Sequence, residues 1–287
     1  MRADVKGAAR SAHGTARNAA TSKGMTLFAR FGYAMKGVVY LIIGFLALQL
    51  AFGQGGQATD QRGALHVLYD QPLGKFLLAV VAIGLIAYAL WSFIQAIFDT
   101  EAKGKDAKGI IGRIGYAVVG VSYALLAFGA LQLVLGSGNS GKSTTTSTQD
   151  WTASFLKQPY GVPLVILLGL VVIGVALYLL YKKAYKADFK RRLYLTGAGA
   201  RLSKWAVALG RLGYGALGVV FTIIGIFLLV AAFQHNASKA KGLDAALAEL
   251  LHLPFGPIIL AIVALGLFAY GVYSFVEARY RRVGRIL

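Results

Sequence analysis

The 287-residue chain is 57% hydrophobic, has no cysteine and carries a formal net charge of +19. The missing cysteines exclude disulfides and thiolate metal sites. The basic excess does not form a nucleic-acid face: segments 1–36, 99–113, 182–211 and 277–287 hold 24 of the 30 Lys and Arg, separated by apolar stretches, which is the distribution that orients membrane spans.

Residues 1–26 are polar and basic and predict a disordered cytoplasmic tail. Beyond them, stretches 37–59, 76–98, 114–141, 158–181, 212–234 and 253–276 contain no Asp, Glu, Lys, Arg or His, and the shortest is 23 residues long. About 20 helical residues cross a bilayer, so six crossings are predicted, with both termini on the Lys/Arg-rich cytoplasmic side of a plasma membrane. The first span has two later copies and is expected to be retained, not cleaved as a signal peptide.

The spans fall into three tandem units. Repeat 1 covers 27–98, a linker 99–112, repeat 2 covers 113–185, a basic linker 186–210, and repeat 3 with the basic tail 211–287. Arg30-Phe31-Gly32-Tyr33, Arg113-Ile114-Gly115-Tyr116 and Arg211-Leu212-Gly213-Tyr214 open the first helix of each unit, followed by Gly37, Gly120 or Gly218. Each outer segment runs to a proline two residues before a glycine: Pro72/Gly74, Pro159/Gly161, Pro254/Gly256. The second helices carry Gly84–Tyr88, Gly174–Tyr178 and Gly266–Tyr270 at a common spacing of four. Landmarks recurring in order mark a triplicated helical hairpin. The fold class predicted is an all-α membrane protein with pseudo-threefold symmetry about the membrane normal.

These landmarks resemble those of the bacterial membrane family called domain of unknown function 1206, over roughly residues 27–280. The resemblance implies three tandem pairs of transmembrane helices and no particular activity.

Helical spacing assigns faces to the landmarks. Gly37 and Gly44, Gly120, and Gly218 and Gly225 form small-residue stripes expected to pack helix on helix. Tyr88 and Trp91, Tyr178 and Tyr181, and Tyr270 and Tyr273 form aromatic stripes on the second helices. Gln95 and Glu277 end two of these stripes at the depth of the opening arginines, so a hairpin can pair Arg211 with Glu277 and Arg30 with Gln95. The alternative is that Arg30, Arg113 and Arg211 reach lipid phosphate as topology anchors. Lys36, which has no basic counterpart in the other units, reads as a snorkelling lysine. Amphipathic runs at Leu65–Tyr69, Trp151–Leu156 and Leu243–Leu251 predict short helices in the outer interface.

Gly136–Ser143 matches the phosphate-loop pattern G-x4-G-K-S, but a membrane span precedes it and a Thr-rich run follows, without the strand and helix that would hold phosphate. No nucleotide is expected there. His13, His66, His235 and His252 have no metal-ligand spacing, and no cofactor, metal or catalytic residue is expected. The Asn236-Ala237-Ser238 sequon carries little weight if the host is bacterial, as the resemblance implies. The spans lack the interior charges that transporters use, and no nucleophile–base pair assembles within them. The first function hypothesis is a non-enzymatic scaffold, accessory subunit or lipid-binding protein, with anionic lipid heads as partners at the cytoplasmic face and room for a membrane-protein partner. A small-solute or ion conduit along the pseudo-threefold axis is the alternative, and a lipid-directed membrane enzyme ranks third.

Overall fold

The computed structural model describes residues 22–101, 104, 106–136, 143–193 and 200–281. Most of the expected tail and residues 137–142 of the phosphate-loop-like match lie outside these.

Among the described residues, six helices are long and apolar enough to cross a membrane: α1 Lys23–Ala51, α3 Gly74–Phe98, α4 Ala107–Val134, α6 Gly161–Tyr178, α7 Ala200–Phe233 and α9 Gly256–Tyr280. Helix α6 continues as a π-helical stretch, Leu179–Tyr185. Three shorter helices close the hairpins: α2 Gln61–Tyr69, α5 Thr144–Leu156 and α8 Leu243–Leu250. The described residues contain no strands, only an isolated antiparallel bridge between Leu193 and Arg281.

Side chains set the helix starts where sequence placed polar caps. Ser22 accepts from the Met25 amide, Asp60 from Gly63 and Asp106 from Gly109, each meeting one of the unpaired amides of a first turn. The repeated glycine after each proline has a steric cause. A Cβ on Gly74, Gly161 or Gly256 would fall 1.9, 1.8 or 2.2 Å from the carbonyl oxygen of Tyr69, Phe155 or Leu251, so only glycine lets the outer helix turn directly into the span.

The first helix of each unit packs on the second helix of the unit before it. Thus α4 lies on α3, α7 on α6, and α1, closing from the other end of the chain, on α9. Within units, α1 packs on α3 and α7 on α9, but no comparable packing joins α4 to α6. The helices therefore form an arc in the order α4, α3, α1, α9, α7, α6. A compact bundle with a threefold axis was the expectation from the repeats; the packing instead leaves the middle unit splayed, and its helices are the least buried of the six.

Candidate functional site

The end of the bundle carrying the start of α1 and the finish of α9, here the terminal end, holds a buried chain of charges. Lys36 and Glu277 are each 2% exposed, and Lys36 Nζ donates to Glu277 Oε2 at 3.0 Å. The same ammonium lies 3.4 Å from the Tyr270 hydroxyl. It sits 5.0, 5.1 and 4.9 Å from the ring centres of Tyr33, Tyr88 and Tyr270, a desolvated setting in which cation–π attraction is strong. Glu277 Oε1 accepts from Arg281 Nη1 at 2.5 Å. Arg281 Nη2 donates to Glu101 Oε1 at 2.9 Å, and its guanidinium lies 4.7 Å from the Tyr33 ring centre. Glu101 Oε2 in turn accepts from the Tyr116 hydroxyl at 2.5 Å. Two cations and two anions thus alternate across α1, α9, the 99–106 linker and α4.

This arrangement corrects the sequence reading of Lys36. It does not snorkel: it faces α9, because the first unit packs against the last. Glu277 consequently pairs with Lys36 and Arg281, not with Arg211 of its own hairpin. Gln95 does not meet Arg30 either, since its amide points to Glu101 Oε1 at 3.5 Å, and the buried Arg30 Nε has no hydrogen-bond partner among the described residues.

The other opening arginines close the helix of the preceding unit. Arg113 donates to the carbonyls of Ala96 and Ile97 at 2.7 and 2.9 Å. Arg211 donates to the Tyr185 carbonyl at 3.2 Å. Both place a cation where the helix dipole and unpaired carbonyls favour one.

The small-residue stripes lie on the seam between successive units. A Cβ on Gly37 would sit 2.9 Å from the Gly271 carbonyl oxygen, and one on Gly44 2.5 Å from the Phe268 amide. Gly120 would meet the Phe93 ring at 3.0 Å, Gly218 the Leu180 side chain at 2.6 Å and Gly225 the Ile173 side chain at 2.6 Å.

Aromatic stripes diverge between units. Tyr88 stands edge-on to Tyr33 and Tyr123, with ring centres at 5.1 and 4.6 Å. Tyr270 stands edge-on to Tyr40 and Tyr214, at 4.8 and 5.4 Å. Trp91 and Tyr273 are buried, whereas Tyr178 and Tyr181 of the middle unit are exposed. The basic linker also contributes to this core, which sequence reasoning missed: Phe189, on the 3-10 turn Asp188–Arg192, is buried against Tyr214 and Tyr273 at 5.4 and 5.1 Å. Its one signal was a lone Phe in a run of cations.

Beside that turn, a cleft of about 540 Å³ opens at the terminal end. Lys190, Lys204 and Arg211 line it with Ser203, and Val207 and Leu212 supply apolar surface.

At the opposite, hairpin end, α5 is held between the outer units. Asp60 accepts from the amide and hydroxyl of Thr144. Asp244 Oδ1 accepts from the amide and hydroxyl of Thr145 at 3.2 and 2.5 Å. The two carboxylates serve the amides at the start of α5, where the helix dipole favours anions.

The family described as Domain of Unknown Function (DUF1206) matches residues 31–99, 114–186 and 212–281. The uncharacterized protein YxxB of Bacillus subtilis (strain 168) is 36% identical over 256 residues, covering 89% of this chain and 91% of that protein. No solved structure matches the chain. The chain belongs to the DUF1206 family, and its three matches coincide with the three hairpin units.

Proposed function

We propose that this DUF1206 protein is a non-enzymatic plasma-membrane scaffold or accessory subunit that binds anionic lipid at its cytoplasmic face, the face of both termini. The observation that carries the reading is the cleft lined by Lys190, Lys204 and Arg211, with apolar surface from Val207 and Leu212. That pairing of cations with apolar surface suits a phosphate head above its acyl chains. The cytoplasmic placement draws support from the 24 of 30 Lys and Arg gathered in the terminal-end segments. A non-enzymatic role draws support from the ion pairs at the terminal end, which engage both the buried Glu277 and the half-buried Glu101. The conduit reading is the weaker one, because tyrosines and the charge chain fill the inner faces of α1, α3 and α9.

The test is titration of delipidated protein with phosphatidylglycerol and with phosphatidylcholine, followed by native mass spectrometry. Each cation near an anionic head contributes about 1 kcal/mol. Lys190→Ala/Lys204→Ala should therefore weaken phosphatidylglycerol binding by about 30-fold and leave phosphatidylcholine binding unchanged. Equal affinity of the parent for both lipids would overturn the reading.

A further inference from the structure

The three units carry one hairpin seam in sequence, and two of them close it in space. In repeat 1, a Cβ on Gly32 would lie 2.6 Å from the Tyr88 amide nitrogen, and one on Gly84 2.1 Å from Met35 Cγ. In repeat 3, Gly213 would meet Tyr270 Cα at 2.7 Å, and Gly266 the Ala216 Cβ at 2.4 Å. The contacts match position for position. The first-helix glycine meets the tyrosine four residues past the second-helix glycine, and the second-helix glycine meets the residue three past the first.

The middle unit has the same two glycines and tyrosine at those positions, Gly115, Gly174 and Tyr178, with Val118 where repeats 1 and 3 have Met35 and Ala216. There the seam is open. Among the described residues, a Cβ on Gly115 or Gly174 meets nothing within 4 Å, and Val118 and Tyr178 are 59% and 47% exposed. A glycine inside a helix costs about 1 kcal/mol relative to alanine, and in this arrangement neither glycine gains a close contact in return.

We propose that the middle hairpin has a second, closed arrangement in which Gly115 seats against Tyr178 and Gly174 against Val118. This completes the ring of six helices. Helix α4 moves with α3 through the Gly120–Phe93 seam, and α6 with α7 through the Gly218–Leu180 seam, so closure is an approach of two preformed helix pairs. Packed interfaces of this kind switch between discrete arrangements instead of deforming continuously. Closure withdraws Tyr178 from the bilayer and turns it inward, as Tyr88 and Tyr270 already are.

The cysteine-free chain permits a direct test in proteoliposomes. Tyr116→Cys/Tyr178→Cys leaves both seam glycines in place and brings two thiols within reach of each other only in the closed form, because the equivalent rings, Tyr33 with Tyr88 and Tyr214 with Tyr270, lie 5.1 and 5.4 Å apart in the closed seams. Tyr214→Cys/Tyr270→Cys is the control for a permanently closed seam. Tyr116→Cys/Val171→Cys places the second thiol two turns away, about 10 Å along the helix. A closed state populated at about 0.1–10% predicts an intrachain disulfide forming about 10- to 1,000-fold more slowly than the control, yet faster than the depth-mismatched pair. Adding Gly115→Trp should abolish that disulfide without lowering the melting temperature, because open space surrounds Gly115. Oxidation no faster than the mismatched pair, or disulfides only between chains, would overturn the proposal; the second outcome would mean that another copy fills the seam.

Discussion

Replacing Glu277 with glutamine removes the anion shared by Lys36 and Arg281 while keeping the side chain's size. At 3.0 Å, two unit charges attract by about 5 kcal/mol at an effective dielectric of 20. Desolvating each ion costs several kcal/mol, so the intact pair is close to break-even, and the loss on removing one partner is dominated by the charge left behind. After Glu277→Gln, Arg281 keeps Glu101 at 2.9 Å, but Lys36 keeps only tyrosine faces and the Tyr270 hydroxyl. The expected destabilisation is about 3–5 kcal/mol. Lys36→Met leaves Glu277 with Arg281 at 2.5 Å and should cost less, about 1–2 kcal/mol, chiefly the lost cation–π contacts. Lys36→Met/Glu277→Gln should fall about 2 kcal/mol short of the sum, because no unpaired ammonium remains. The assay is equilibrium unfolding in mixed micelles, read as a double-mutant cycle. Changes below about 0.5 kcal/mol for both single variants, the range of ordinary surface substitutions, would mean that Lys36 reaches water and that the buried pair does not hold α1 to α9.

Four further outcomes are expected. Gly37→Leu, Gly120→Leu and Gly218→Leu should each cost about 1–3 kcal/mol by overpacking the seam between units, whereas Gly129→Leu, at a position with nothing within 4 Å among the described residues, should leave the melting temperature unchanged or raise it. Asp60→Ala removes a cap from α2 and the carboxylate that receives Thr144, and should lower stability by about 1–2 kcal/mol in the same unfolding assay. Glu249 is held below its ordinary value of 4.5 by the hydrogen bond from Lys241, and further by that residue's charge; its stabilisation is present above that value and fades as pH falls through the depressed one. Lys241→Ala should return the Glu249 titration toward 4.5, as read by side-chain NMR. Finally, the exposed positions Gln158 and Lys186 should label from opposite sides when converted singly to cysteine, Gln158→Cys from outside only; the reverse would invert the topology.

Much of the fold was legible because bilayer thickness and repeated landmarks leave few options. Uncharged stretches of at least 23 residues could hardly be anything but spans, and the amphipathic runs before each proline foretold α2, α5 and α8. The charge chain was half legible. Glu277 stood out at the end of its stripe, but its partner was sought in its own hairpin, whereas the first helix of each unit packs on the preceding unit. The overlooked signal was asymmetry: Lys36 and Glu277 each occur in one copy, where the equivalent positions hold neutral residues, and two unmatched opposite charges at similar depth imply each other. The splayed middle unit had no signal at all. Gly115 and Gly174 carry the same local pattern as their counterparts, and whether a seam closes depends on how the neighbouring helix pairs are placed, which no single unit encodes.

Whether the basic cleft receives an anionic lipid head is decided by a density map of the full chain purified with its native lipids. Phospholipid density is expected with its phosphate within hydrogen-bond distance of Lys190, Lys204 and Arg211 and its acyl chains along Val207 and Leu212. A cleft holding only water, while ordered lipids elsewhere on the protein are resolved, would refute lipid binding at this site.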